Sequence, residues 1–440
     1  MALSKNTSHI RRLVAVVTTL GTLVTIGPAA RAATVSADFG IGENTKLKVG
    51  FLHNLSASAP TDDLLMPLKP TAWRSNESSA PADRVRRLGA NHTIVLSDHW
   101  SYPAHGWRPA GRPWTNLEGF AAWVRQFAQP YKGCAVFYWD IWNEPDFKIF
   151  WDGTQHQFYE TFAVAERTLR EELGSDARIV APSTAMWRLD WIQGLAEFCL
   201  ERGCRFDAVS WHDLPDDMHS LPRLSARVET TRALLAEPRY QPLGVPEFHI
   251  NEIMGRGIQF MPGAAVGYFS ELESAGADVA IKSCWPDSSG RVNCEGQTLD
   301  GLLDWDTGRP RSLWYTWRAY ADGRSSRVRS LARDQRIAVV ASRRSRRSGE
   351  AQLLVGNIGS VKADASVRLC GLRELTPGRR RASSVRVLIE RHPDAEEAVF
   401  SPTLDGRLGR LHLTKGARCA VGRLSLPDVG GALVAYVRVR

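Results

Sequence analysis

The chain has 440 residues, of which 43% are hydrophobic and 23% are charged, with a formal net charge of +9. This balance is typical of a globular protein with one large or two domains, and it excludes a wholly disordered or fibrous chain. Residues 324–440 contain 24 Lys and Arg against 10 Asp and Glu, whereas all 15 tryptophans lie between Trp73 and Trp317. Two domains of different character are therefore predicted, with a boundary near "YADGRSSRVRS".

The N-terminal segment resembles an export signal. Lys5, Arg11 and Arg12 precede an apolar stretch over residues 13–30, and "ARA" at 30–32 is a small-residue cleavage site. Glycines, a proline and several threonines in the stretch weaken the alternative of an uncleaved membrane anchor. We expect residues 1–32 to be a signal peptide and the mature protein to be secreted or periplasmic. No later segment is long and apolar enough to span a bilayer.

Export makes the seven cysteines candidates for disulfide bonds. Neighbours in sequence suggest three pairs and leave Cys134 over, inside a predicted strand. The pairs are Cys199 with Cys204, Cys284 with Cys294, and Cys370 with Cys419. No CxxC motif or His/Cys cluster indicates zinc, so no metal site is predicted.

Strand-like and helix-like stretches alternate between residues 46 and 320. Eight strands alternating with about eight helices predict an α/β fold, a (β/α)8 TIM barrel over residues 40–323. A doubly wound open sheet would show the same alternation, but no G-x-G-x-x-G or G-x-x-x-x-G-K-[ST] supports nucleotide binding. The predicted strands are "KLKVGFLHNL", "LKPTAWRSN", "HTIVLSDHW", "CAVFYWDIWNEP", "ARIVAPSTA", "FDAVSWHDL", "VPEFHINEIMG" and "DVAIKSCW".

The pattern changes near residue 324 to short alternating strands separated by turn residues. These are "RIAVVAS", "AQLLVGNI", "ASVRLCGL", "SVRVLIE", "RLHLT" and "GALVAYVRVR". They predict a C-terminal antiparallel β-sandwich over residues 324–440, an accessory domain. The run "SRRSRRSGE" is most simply a solvated loop, because no interleaved aromatics or recognition helix indicates nucleic-acid binding.

Two carboxylates fall where a barrel carries its reactive groups, at the C-terminal ends of strands. Glu144 follows strand four and is held at its end by Pro145, and Glu252 ends strand seven. Such a pair is the minimum apparatus for glycoside hydrolysis, although Glu144 could instead cap a turn. Glu247 is a local competitor of Glu252 but lies near the strand's start, and Asp140 inside strand four is expected to be a buried structural acid.

These motifs resemble a known family. "WDIWNEPDF", "VSWHDL", "FHINEIM" and "SCW" are similar to the strand-end motifs of glycoside hydrolase clan A, and most similar to its family 39. That family includes β-xylosidases and bacterial exopolysaccharide hydrolases. The resemblance covers roughly residues 40–320, and such enzymes often carry an accessory β-domain.

The resemblance implies roles for five side chains. Glu144 would be the general acid/base and Glu252 the nucleophile, and Asn143 would bind the sugar 2-hydroxyl. His212 would hydrogen-bond near the reacting centre, with a core histidine as the alternative. Arg74 would orient Glu252 and keep it ionised, because a guanidinium lowers the pKa of a neighbouring carboxyl.

Further contacts to the sugar are expected from aromatic side chains. Trp285 would form an apolar floor under the ring, unless it is simply part of the core. His99 and Trp100 end strand three and could line the sugar site. The family pattern is not complete, because Leu214 and Asn76 stand where the family often has tyrosine and histidine.

The sequence thus predicts a retaining β-glycosidase that acts on a polysaccharide or oligosaccharide and uses no metal or organic cofactor. A non-catalytic polysaccharide-binding protein on a degenerate barrel is the alternative. Tryptophans near predicted mouth loops favour a cleft with several subsites, with ordinary core packing as the rival explanation: Trp100, Trp107, Trp114, Trp151, Trp187 and Trp191. No nucleic acid and, after signal cleavage, no membrane is expected as a partner.

Overall fold

A computed structural model describes residues 33–76, 80–97, 112–133, 137–345, 350–359, 364–375, 385–396, 404–406, 412–413 and 419–439. Residues 33–440 form one compact unit. The predicted signal peptide, Cys134, His99, Trp100 and Trp107 lie outside the described residues. No helix within these ranges has the length and apolarity needed to cross a membrane.

The first sheet is a closed barrel of eight parallel strands, arranged around the barrel in chain order. It confirms the predicted (β/α)8 barrel, and each strand overlaps a predicted segment. After a first strand β1 (Ala33–Gly42), the barrel strands are β2 (Lys48–Leu52), β3 (Ala72–Ser75), β4 (Asn91–Leu96), β5 (Phe137–Ile141), β6 (Arg178–Thr184), β7 (Ala208–Asp213), β8 (Glu247–Ile253) and β9 (Val279–Lys282).

Helices connect the barrel strands and cover the outside of the barrel. Their apolar faces pack with the strands into one core, because helical spacing places apolar residues on a single stripe. The described helices are α1 (Asp62–Leu65), α2 (Ala82–Arg87), α3 (Leu117–Ala128), α4 (Gln155–Leu173), α5 (Leu189–Arg202), α6 (Leu224–Leu235), α7 (Pro262–Ala275) and α8 (Ser312–Gly323). Asn116 caps α3, because its side-chain oxygen accepts from Gly119 N.

The second sheet has ten strands and is mostly antiparallel, which confirms the predicted β-sandwich class. Besides β1 it contains β10 (Arg327–Ala332), β11 (Ile337–Ser345), β12 (Glu350–Asn357), β13 (Asp364–Cys370), β14 (Val385–His392), β15 (Leu404–Gly406), β16 (His412–Leu413), β17 (Cys419–Ser425) and β18 (Ala432–Val439). Apolar side chains from both halves of this sheet form a second core, separate from the barrel core.

The N-terminal strand β1 is a feature that the sequence did not predict. It lies between β10, to which it is antiparallel, and β13, to which it is parallel. The C-terminal β-domain therefore contains one central strand that comes from the part of the chain before the barrel. The strands β10, β15 and β17 were not predicted either, whereas the six predicted segments all contain strands.

Three disulfide bonds join the cysteine pairs that sequence proximity suggested. One closes the end of α5, and one closes the loop that follows β9. The third joins β13 to β17, where Cys370 and Cys419 are direct partners in the sheet.

Candidate active site

Polar side chains from four barrel strands converge at the C-terminal end of the barrel. An oxygen of Glu144, a ring nitrogen of His212 and an oxygen of Glu252 all lie within 4.8 Å of one another. His212 is fully buried, and the Glu252 side chain is 13% exposed. The carboxyl pair predicted from strands four and seven is thus brought together at the barrel mouth.

The backbone beyond β5 turns sharply to present Glu144. Trp142 and Glu144 both have left-handed backbone conformations, with φ of 77° and 47°. Glu144 N donates to the carbonyl of Ser183 on β6 (2.9 Å), which fixes the turn to the neighbouring strand. Strained φ values of this kind persist only where surrounding contacts impose them, and they are concentrated at functional sites. β5 itself ends at Ile141, four residues before Pro145, so the expectation that the proline ends the strand is wrong.

Irregular pairing helps to present Glu252 at the mouth. The register between β7 and β8 shifts after Trp211, so that His212 is opposite Glu252, and β8 also loses its regular pairing with β9 after Ile250. Such irregularities re-aim side chains next to active sites. As a result, His212 Nδ1 lies 2.8 Å from Glu144 Oε1 and 3.8 Å from Glu252 Oε1.

Arg74 connects three strands beneath this pair. Its Nη1 donates to Glu252 Oε1 (2.9 Å), its Nη2 to Asn143 Oδ1 (2.8 Å) and its Nε to Asp140 Oδ2 (2.8 Å). The arginine is 1% exposed and Asp140 is fully buried. The contact expected between Arg74 and Glu252 is present, and Asp140 is a buried acid that holds the guanidinium in place.

A second layer of small polar residues satisfies Asp140. Ser183 Oγ donates to Asp140 Oδ1 (2.6 Å), and Asn251 Nδ2 donates to Asp140 Oδ2 (2.9 Å). Ser183 Oγ also lies 2.6 Å from Ser210 Oγ. Sequence reasoning missed this layer, and the available signal was the occurrence of polar residues at buried strand positions in "APST", "AVSW" and "HINE".

Burial has the largest effect on the pKa of Glu252. The pKa of Glu252 is raised, first by burial and also by the charge of Glu144, although His212 and Arg74 act in the opposite direction. The resemblance implied that Arg74 keeps Glu252 ionised; the guanidinium does favour the charged form, but burial outweighs it.

The surroundings of His212 favour the positively charged form of its imidazole. Burial on its own would lower the pKa of its imidazole, but the charge of Glu252 and the hydrogen bond and charge of Glu144 outweigh burial and raise it. His212, Glu144 and Glu252 are also the described side chains whose atoms could together hold a metal ion. Arg74 already donates to the Glu252 oxygen that is nearest to His212, so the cluster has a resident cation.

The competing carboxylate, Glu247, lies at the opposite end of β8 and has other partners. It pairs with Arg178 Nη2 (2.7 Å) and accepts from Tyr138 (3.0 Å), and His249 Nε2 lies 3.0 Å away. Burial would raise its pKa, but the bond and charge of His249, with Arg178 and Tyr138, lower it to about 2. Glu247 belongs to a cluster of charged groups at the N-terminal end of the barrel strands.

Trp285 reaches the mouth from the loop after β9. Its Nε1 donates to the carbonyl of Met254 (2.9 Å) and to Ser283 Oγ (2.8 Å), and the ring is only partly buried. The adjacent Cys284–Cys294 disulfide closes the same loop. Of the four tryptophans of the predicted mouth set that are described, Trp151 and Trp191 are buried in the core, whereas Trp114 and Trp187 are partly buried and pack against it.

Comparisons with known proteins agree with this geometry. Residues 112–235 match the family model described as glycosyl hydrolases family 39. A β-xylosidase from Caldicellulosiruptor saccharolyticus is 31% identical over 83 residues, which is 19% of this chain and 16% of that protein. The chain resembles the family 39 glycosyl hydrolases. The resemblance predicted from the motifs is confirmed, and the family 39 segment contains Asn143, Glu144 and His212.

Solved structures resemble this chain over almost its whole length. The structure of N2152 from Neocallimastix frontalis has a TM-score of 0.72 at 18% identity, covering 92% of this chain and 99% of that one. A GH39 enzyme from Xanthomonas axonopodis pv. citri has a TM-score of 0.60 at 13% identity, covering 93% and 98%. A monomeric β-xylosidase from Caulobacter crescentus CB15 has a TM-score of 0.60 at 11% identity, covering 92% and 99%. At these identities the likeness shows the fold.

Proposed function

We propose that the chain is a retaining β-glycosidase that cleaves O-glycosidic bonds of the β-xyloside or bacterial exopolysaccharide type. The observation that carries this proposal is the close approach of Glu144 and Glu252: one carboxylate oxygen of each lies within 4.8 Å of the other. Inverting enzymes need roughly 6.5–9.5 Å between their carboxyls to admit a water, whereas retaining enzymes hold them about 5–5.5 Å apart. A separation of this size is closer to the retaining range than to the inverting range.

The first step uses the two carboxyls in different protonation states. In the reactive form Glu144 is protonated and Glu252 is negatively charged, beside the Arg74 guanidinium. Glu144 gives its proton to the glycosidic oxygen as the bond from that oxygen to the anomeric carbon breaks. Glu252 attacks the same carbon from the opposite face and forms a glycosyl-enzyme ester.

The second step reverses the roles. Water enters on the side that the leaving group has vacated, Glu144 takes one of its protons, and the hydroxide forms the new bond to the anomeric carbon. The ester to Glu252 breaks and restores its carboxylate. Two inversions give net retention, and the two carboxyls with water complete the reaction.

Neighbouring groups hold the sugar and the carboxyls in place. Arg74 Nη2 donates a hydrogen bond to Asn143 Oδ1. The amide Nδ2 of Asn143 is therefore the atom that can donate to a sugar 2-hydroxyl. His212 orients Glu144 through its 2.8 Å contact. The partly exposed indole of Trp285 offers an apolar face for the C–H side of a sugar ring. His99 and Trp100 remain predicted contacts.

The test is the stereochemistry of the first product. Proton NMR of an aryl β-xyloside or β-glucoside digest should show the β-hemiacetal before mutarotation, and an initial α-hemiacetal would contradict the mechanism. A 2-fluoro-glycoside inactivator should label Glu252. A label mapped to Glu247 would move the nucleophile by five residues. Binding of polysaccharide without turnover on a broad panel would favour the non-catalytic alternative.

We also propose that the protein is exported, with residues 1–32 removed. Three disulfide bonds support this location, because such bonds persist in oxidising compartments. N-terminal sequencing of the protein recovered outside the cytoplasm should begin after Ala32. A mature protein that keeps residues 1–32 would contradict cleavage.

A further inference from the structure

Three large apolar side chains are exposed on two adjoining loops at the barrel mouth, directly after the acid/base carboxylate. Phe147 is 52% exposed, Ile149 66% and Met186 61%. Phe147 and Ile149 follow β5, and Met186 follows β6. The other exposed large apolar side chains of the described residues lie on other segments: Ile41, Met66, Leu200, Leu331, Val421 and Val429.

Hydrogen bonds fix the two loops side by side. Asp146 Oδ1 accepts from Ala185 N (2.7 Å), which joins the residues directly before Phe147 and Met186. Thr184 Oγ1 donates to the carbonyl of Met186 (2.8 Å), so the second loop is also tied to its strand. The three side chains are therefore carried by anchored backbone, and their exposure belongs to the folded state.

The first loop is continuous with the candidate active site. Phe147 N donates to the carbonyl of Glu144 (2.9 Å), and Trp151 N donates to the carbonyl of Phe147 (3.1 Å). The three exposed side chains are thus carried by loops next to the turn that holds Glu144. Because Glu144 would protonate the leaving oxygen, a group attached to that oxygen would lie on the side of the mouth that carries Glu144.

We propose that Phe147, Ile149 and Met186 form a leaving-group subsite that takes an apolar aglycone, an alkyl chain or an aryl ring. This inference rests on the proposed glycosidase function and specifies its substrate class. Exposed apolar patches mark binding surfaces, because water contact with them is unfavourable. Two of the three side chains, Ile149 and Met186, are not aromatic; they pack against a chain or a ring edge and lack the flat face that a sugar needs.

The subsite predicts a chain-length effect. The probes are methyl, butyl and octyl β-glycosides of the sugar whose aryl glycoside is hydrolysed fastest, used below their aggregation concentration. Their leaving alcohols have similar acidity, so chemistry contributes little to the differences. Each methylene that leaves water contributes a gain of about fourfold. We expect kcat/KM to rise about 10- to 100-fold from methyl to octyl.

Three variants and one control locate the effect. F147S, I149S and M186S should each reduce the octyl-to-methyl ratio of kcat/KM by about 3- to 10-fold. L331S removes a comparably exposed side chain (55%) from β10 and should leave the ratio unchanged. A ratio near one in the wild type, or a ratio that these three variants do not lower, would overturn the inference while turnover shows that the glycosidase function stands.

Equilibrium binding separates the subsite from the enzyme activity. Calorimetry with octyl and methyl β-xylosides and β-glucosides should show tighter binding of the octyl forms to the wild type, and this preference should fall in I149S. If no glycoside is hydrolysed but the preference is present and falls, the subsite stands and the proposed activity fails. If there is no preference, or if the variants only dissociate a dimer of this chain, the subsite is wrong.

Discussion

Replacing Arg74 with methionine is expected to damage both stability and the ionisation of the candidate site. The substitution keeps the apolar stem and removes the guanidinium that donates to Asp140, Asn143 and Glu252 at 2.8–2.9 Å. Asp140 is then a fully buried carboxyl without its ion partner. Breaking a buried pair in this way costs about 3–5 kcal/mol. We expect the lower end, because Ser183 and Asn251 still donate to Asp140.

The same variant should move the pH dependence of activity. The Arg74 guanidinium lowers the pKa of Glu252, partly offsetting burial. Without it that pKa rises further, so the nucleophile becomes ionised only at higher pH and the acid limb of kcat/KM shifts upward. Misplacement of Asn143 adds a loss of about 10²-fold near neutral pH. R74K should shift the limb less, because an ammonium keeps the charge but cannot reach three acceptors.

The assay compares pH profiles of aryl glycoside hydrolysis with thermal melts. Arg84 is the matched control, since it is 3% exposed and donates hydrogen bonds to the carbonyls of Ser56 and Ala59 and not to Glu144, Asn143 or Glu252. R84M should lower the melting temperature and leave the acid limb in place. The reasoning would be refuted if R74M kept the wild-type limb, or if R84M moved it equally.

Three further predictions test other parts of the molecule. E144Q should reduce kcat about 10²- to 10⁴-fold on alkyl glycosides and less on activated aryl glycosides in the first step; equal, small losses would count against Glu144 as the acid. Glu247 has its pKa lowered to about 2 from 4.5, so its stabilising contribution is present above about pH 4.5 and lost as the pH falls towards 2. E247Q should flatten that part of the stability–pH curve and leave glycoside turnover intact, and a large loss of turnover would favour Glu247 as a site residue. Replacing both Cys370 and Cys419 with serine opens a 49-residue loop and should lower the free energy of unfolding by about 4 kcal/mol, measured by denaturant titration, whereas a free thiol at either position of the wild type would contradict the bond.

The barrel could be predicted from the sequence because its signals are local. Several barrel strands contain a short apolar run, and α3 repeats its apolar residues at helical spacing, so such elements can be recognised from residues a few positions apart. The location of the motif residues could then be predicted, because a parallel barrel places the C-terminal ends of all its strands at one end of the barrel.

The second sheet depended on pairings that no local pattern records. Val35 of β1 pairs with Ala332 of β10 and with Val367 of β13, about 300 residues along the chain. A fragment of residues 324–440 would lack this strand between two of its neighbours. Periodicity indicates that a segment is a strand, but only the folded chain determines which strand is next to it.

The site divides in the same way. The sequence by itself indicated Glu144 and Glu252 as candidate catalytic residues, because their positions near strand ends and their flanking residues can be read locally. The left-handed turn at Trp142 and Glu144, the support of Asp140 and the raised pKa of Glu252 were decided by tertiary structure. Arg74 meets Asp140 and Glu252 from 66 and 178 residues away. A carboxyl's ionisation depends on burial and on charges within a few ångströms, and those neighbours exist only once the barrel has closed.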